Sequence, residues 1–206
     1  MPTVNIICTD TNSGQLIKDD ATWTNVTNTS TADSTYYFQS YDIGCESSGG
    51  IYTNDITITE FDLTTVVPEY SKITSATLYI KCSGNCAPTG DTLDVILYDY
   101  GGGLPNTSAY LSSTEFSAES VVASLGGASF FTNNWYTFTS SGLAAALVPN
   151  QSNRICIASR KWAATTAPTV DTDMFTMWGP FATAGSEPYL RVTYVEDEGG
   201  FLGINF

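Results

Sequence analysis

At 206 residues the chain has the length of one all-β domain, enough to bury a core without metal or disulfide staples. Its 21 acidic against 7 basic residues give a net charge of −14, which repels phosphate backbones and anionic lipid surfaces and so argues against nucleic acid or membrane as partners. The absence of histidine removes the usual general base, the Ser-His-Asp and Cys-His arrangements and every His-containing metal site.

Acidity by itself promotes solubility. The partners it tolerates are neutral glycans, divalent cations and basic protein surfaces such as a neighbouring subunit. The opening segment, Met-Pro-Thr-Val-Asn-Ile-Ile-Cys, has no basic n-region and no long apolar stretch. It is therefore expected to be neither a secretory precursor nor a membrane protein.

In chain order, period-2 alternation predicts strands over 3–9, 15–19, 36–43, 55–63, 72–82 and 92–100. Later strands are predicted over 135–138, 154–159, 174–178 and 189–195. The clearest is Ile73-Thr74-Ser75-Ala76-Thr77-Leu78-Tyr79-Ile80, set off from Glu60-Phe61-Asp62-Leu63 by a loop carrying Pro68. Between Ile58 and Phe61 the apolar phase slips by one residue, and a bulge near Thr59-Glu60 would restore it. The polar stretch 22–34 has the composition of a surface loop, as has 101–106. Residues 117–125 look helical, with Ser117 as cap, and so do 141–148, which place Leu143 and Leu147 on one face before Pro149. Both are read as crossing turns between strands rather than a helical layer. The expected fold is all-β: a two-sheet antiparallel β-sandwich, jelly-roll-like, with one or two short helical turns. Residues 1–195 form its single domain.

The remainder, 196–206, is an acidic and Gly-rich hinge followed by Phe201, Leu202, Ile204 and Phe206. Exposing such side chains costs roughly 1.5–3 kcal/mol each relative to burial. They are expected to fold back on the sandwich or to dock on a neighbouring subunit. Of the five cysteines, Cys8 and Cys156 lie in apolar segments and read as small buried hydrophobes. Cys82 and Cys86 bracket a turn, as a small disulfide or as solvent-near thiols; Cys45 completes an odd set.

The order of Phe61-Asp62-Leu63, Ile73 to Ile80, Trp135-Tyr136-Thr137-Phe138, the Leu143 to Leu147 turn, Ile155 to Ile157 and Pro188-Tyr189-Leu190-Arg191-Val192-Thr193-Tyr194 resembles DNRLRE domains, the disaggregatase-related β-sandwich family. More loosely it resembles the jelly-roll carbohydrate-binding modules. The likeness spans about residues 36–195; the 101–134 insertion and the terminal arm lie outside it. It implies an adhesive or glycan-facing module of cell surfaces or viral particles, and it transfers no catalytic residue.

That resemblance also raises a structural calcium, which takes 6–8 oxygen ligands, with Asp10, Asp19, Asp171 and Asp173 as candidates. Trp23, in the polar loop, and Trp162, after Arg160-Lys161, are the candidate glycan contacts, while Trp135 and Trp178 read as core. Glu46, Glu60, Glu69, Glu115, Glu119 and Glu187 sit in no motif that selects a pair for glycoside cleavage. Sequons at Asn25, Asn28, Asn106 and Asn150 are read as Asn-rich turns. The expected function is a non-enzymatic virion component, a phage capsid decoration or fibre-associated protein. It would sit at the virion surface and assemble through its terminal arm with copies of itself or with a shell protein. The alternatives are a glycan-binding module of a secreted or cell-surface protein, and an extracellular fibre subunit.

Overall fold

A computed structural model describes residues 1–84, 91–101, 103–126, 130–168 and 173–196, leaving the Asp173 side chain aside. Among them the chain forms two antiparallel sheets, the β-sandwich expected from the alternation. The smaller sheet runs β1 (Thr3–Ile7), β12 (Tyr189–Glu196), β6 (Ser71–Lys81), β9 (Trp135–Thr139). The larger runs β11 (Asp173–Trp178), β4 (Ser40–Ser48), β5 (Ile51–Asp62), β10 (Ser152–Ser159), β7 (Thr92–Leu97), β8 (Ala123–Gly126). Strand β2 (Thr9–Asp20) adds to β5 and carries the short β3 (Ser34–Tyr36).

The main core lies between the sheets. Leu78, Ile80, Phe138, Leu190 and Val192 of the small sheet meet Ile43, Phe61, Val95, Ile155 and Phe175 of the large one. Helix α3 (Ser141–Ala146) closes one end with Leu143, and Leu147 follows it into the core as its spacing predicts. Ser140 caps this helix, accepting from the Leu143 N–H at 3.0 Å.

A second core covers the outward face of the large sheet, and here several expectations are corrected. Leu16, Ile56, Ile58, Ile96 and Cys156 pack beneath Val26, Tyr110, Phe116 and Trp162. Val26, Phe116 and Trp162 sit on helices: α1 (Trp23–Asn28), α2 (Ser113–Ala118) and α4 (Arg160–Ala163) respectively. The polar 22–34 stretch is thus no simple loop, because Val26 and Thr27 anchor its first half in this core. The helix expected over 117–125 lies earlier. Ser112 and Glu115 form a reciprocal capping box that starts it at Ser113, and from Ala123 the chain pairs with β7 as β8. The helical elements therefore do form a partial layer.

The phase slip at Thr59-Glu60 also has another cause. Strand β5 keeps unbroken register with β10 from Thr57 to Asp62. Its apolar residues instead change face: Ile56 and Ile58 serve the outer core, Phe61 and Leu63 the inner one. The irregularity falls on β2, where Thr9 pairs with Glu60 and Gly14 with Ile58.

Candidate functional site

Alternation decides what the small sheet turns outward. With Ile6, Leu78, Ile80, Phe138, Leu190 and Val192 buried inside, their neighbours Asn5, Ile7, Tyr79, Lys81, Trp135, Tyr189 and Arg191 face away from the core. Direct register sets Ile7 beside Tyr189, Tyr189 beside Tyr79, and Trp135 beside Lys81.

These side chains make one continuous stack. The Tyr79 and Tyr189 rings lie parallel, centroids 4.4 Å apart and planes 8° from coplanar. Trp135 meets Tyr189 edge-on at 5.2 Å. The Arg191 guanidinium lies 5.1 Å from the Tyr79 ring centre, and the Lys81 ammonium 5.8 Å from that of Trp135. Each cation is also held by a neutral neighbour. Arg191 Nε donates to Asn5 Oδ1 at 3.1 Å and its Nη1 to the Tyr79 hydroxyl at 3.2 Å. Lys81 Nζ donates to Ser186 Oγ at 3.0 Å. Around the stack, hydroxyls pair across strands: Thr3 with Thr193 at 3.0 Å, and Thr139 to Thr77 at 3.2 Å. The result is an outward face of rings, hydroxyls and two tethered cations.

Trp135 was expected in the core and stands 39 % exposed here. The strand reading was correct, but its position places the ring on the solvent side. Trp162, expected at the surface, is fully buried, edge-on to Tyr110 and Phe116 at 5.9 and 5.4 Å. Ser159 caps the turn that carries it, so the Arg160-Lys161 pair does not bring Trp162 into solvent. Trp23 is half-buried against Tyr52, its indole N–H donating to the Thr165 carbonyl at 3.0 Å. Trp178 is half-buried on β11. Neither candidate glycan contact thus belongs to the exposed stack.

Of the calcium candidates, Asp10 and Asp19 lie at opposite ends of β2 and do not converge. Asp171 and the Asp173 side chain lie outside the described residues. No three acids or cysteines among the described residues are grouped to hold a metal. The arm residues Phe201, Leu202, Ile204 and Phe206, and Cys86, lie outside them too. Cys8, Cys45, Cys82 and Cys156 are buried, and burial pushes the Cys8 and Cys156 thiols up.

Several carboxylates are committed to local contacts. Glu60 pairs with Arg154 at 2.8 Å and accepts from Asn12 at 2.7 Å. Glu115 serves the capping box and Glu187 accepts from the Gly185 and Ser186 N–H groups. Asp55 is the exception: it is buried, its Oδ1 has no hydrogen-bond partner, and burial holds its carboxyl well above the usual range. The concavities are open surface features. One of about 270 Å³ lies by Leu97, Asp99 and Arg154, and one of about 570 Å³ lies between the start of β6 and α3. No helix among the described residues is long and apolar enough to cross a membrane. No protein-family model matches the chain, and neither does any curated protein sequence.

Proposed function

We propose that the protein is a non-enzymatic carbohydrate-binding module whose ligand lies along the outward face of the small sheet. The observation that carries this is the outward-facing Tyr79–Tyr189–Trp135 cluster, two half-buried tyrosines beside an exposed tryptophan, with hydroxyls on either side. Sugar rings present apolar C–H faces and polar rims. A surface that suits them supplies aromatic rings for the former and hydroxyl, amide or cationic groups for the latter. An open sheet face rather than a closed pocket suits a polymer better than a single small molecule. The resemblance to DNRLRE domains and jelly-roll modules, read from sequence, points the same way by analogy of fold.

The test is affinity electrophoresis of the whole chain through gels containing soluble polysaccharides, neutral and acidic. Retardation by at least one polymer, lost in Trp135→Ala and Tyr189→Ala but kept in Trp23→Ala, is the expected outcome. Unretarded migration in every gel would overturn the reading. An assembly role, as a phage capsid decoration or fibre-associated protein on a virion surface, is a second proposal. It rests on the apolar residues Phe201, Leu202, Ile204 and Phe206 in the sequence and on the position of the last described residue. Glu196, the last residue of β12, pairs with Ser71 beside the β6–α3 groove.

A further inference from the structure

We infer that the small-sheet face recognises an acidic glycan, a polymer of carboxylate-bearing sugars, read by Arg191 and Lys81 at the two ends of the aromatic stack. The inference rests on the carbohydrate-binding reading and adds the charge of the ligand.

The first argument is the distribution of charge. The four strands of the small sheet carry three cations, Lys72, Lys81 and Arg191, and one acid, Glu196. The rest of the chain holds the other 20 acids and four cations. One sheet is thus net positive by two while the remainder is net negative by 16. Across a face this charge difference steers an anion to one side and repels it from the other.

The second argument is what the cations do. Elsewhere Lys18 pairs with Asp33, Arg154 with Glu60 and Asp99, and Arg160 with Asp94, at 2.6–2.8 Å. Among the described residues no carboxylate lies within ion-pair distance of Lys72, Lys81 or Arg191. Charged side chains commonly guard exposed sheet edges, but that role does not fit here. Arg191 is on β12 and Lys81 on β6, both interior strands.

The third argument is preorganisation. Asn5 and Tyr79 take only part of the Arg191 guanidinium, which has five N–H donors, and Ser186 takes one of three on Lys81. Among the described residues the remaining donors are oriented and face no carboxylate, as a carboxylate acceptor requires. The rings between them would hold the sugar planes while the cations read the acid groups.

Binding of the whole chain to polygalacturonate and hyaluronate, measured by calorimetry beside their carboxyl-methyl-esterified forms, tests this. The acidic polymers should bind at least about tenfold tighter than their esters, equivalent to about 1.4 kcal/mol. The affinity should fall as NaCl rises from about 50 to about 500 mM. Arg191→Gln and Lys81→Gln should each remove most of that preference, with melting temperatures near wild type. Equal binding of acid and ester would overturn the inference and leave carbohydrate binding standing. Binding of only neutral polysaccharides would do the same. Binding of no polysaccharide would overturn both. Salt-sensitive self-association in sedimentation, weakened by Arg191→Gln and without glycan binding, would assign the face to a second copy of the chain and also overturn it.

Discussion

The two sheets present opposite outer faces. The large sheet is roofed by three short helices, which bury Ile56, Ile58, Phe116 and Trp162 in a core of their own. Its nearby cations, Arg154 and Arg160, are neutralised by acids. Among the described residues the small sheet has no such roof: Trp135, Ile7 and Arg191 remain exposed. Covering a face adds hydrophobic stability but leaves nothing for a ligand to touch; leaving it bare forgoes that stability and keeps rings and donors available. The difference predicts that changes on the roofed face cost stability and changes on the bare face cost binding.

The strongest way to break that contrast is Trp162→Ala. It should destabilise by about 3–5 kcal/mol, read as a lower urea midpoint, since the indole is fully buried among Tyr110 and Phe116. A loss below about 1 kcal/mol would mean that the roof is no true core.

Next comes Asp55, buried on β5 and on the face opposite Ile56 and Ile58. Burial raises its folded-state pKa, with Asp42, Asp19 and Glu46 adding to the rise and a Gln15 hydrogen bond opposing it. The folded protein therefore holds this proton more tightly than the unfolded chain. The stability it contributes is complete below about pH 4 and declines as pH rises toward the folded value, by at most about 1.4 kcal/mol per pH unit. Asp55→Asn should flatten the fall of stability between pH 4 and neutrality. Asp20, Asp62 and Glu115 run the other way, because hydrogen bonds from Thr22, Thr64 and Ser112 lower their pKa. Their contribution is present above the unfolded value and lost on acidification below about pH 4. A profile unchanged by Asp55→Asn would show that this carboxyl titrates normally.

Ser112→Ala should cost about 1 kcal/mol by removing one side of the capping box, measured by thermal unfolding, without effect on glycan binding. Trp135→Ala should be the mildest for stability, at about 1 kcal/mol or less, yet should abolish polysaccharide retardation. Those last two variants together sharpen the comparison, since each should affect one property and spare the other.

The sandwich was legible because both layers alternate cleanly where one face is wet, as in Ile73 to Ile80. The roof was harder to read. A helix such as α1 buries only Val26 and Thr27, too few positions to show a helical period. The capping box Ser112-Ser113-Thr114-Glu115 was visible in the sequence and marks where α2 begins. The helix expected over 117–125 from a Ser117 cap does not form there, because pairing with β7 recruits Ala123–Gly126 into the sheet. The site was the least legible part. Tyr79, Trp135 and the Tyr189–Arg191 pair are far apart in sequence, and only strand register makes them neighbours. Composition also concealed the cationic sheet, since a net charge of −14 averages over it.

Strand β1 pairs with β12, so that Thr3 and Thr193, 190 positions apart in sequence, touch. On a ribosome adding about 5–20 residues per second, the first strand would wait roughly 10–40 s for its partner to be made. Until then β6 lacks its central neighbour as well. The surface bearing the stacked rings therefore forms only after the large sheet has been made. A chain broken off before residue 189 would retain most of the large sheet while lacking Tyr189 and Arg191 altogether.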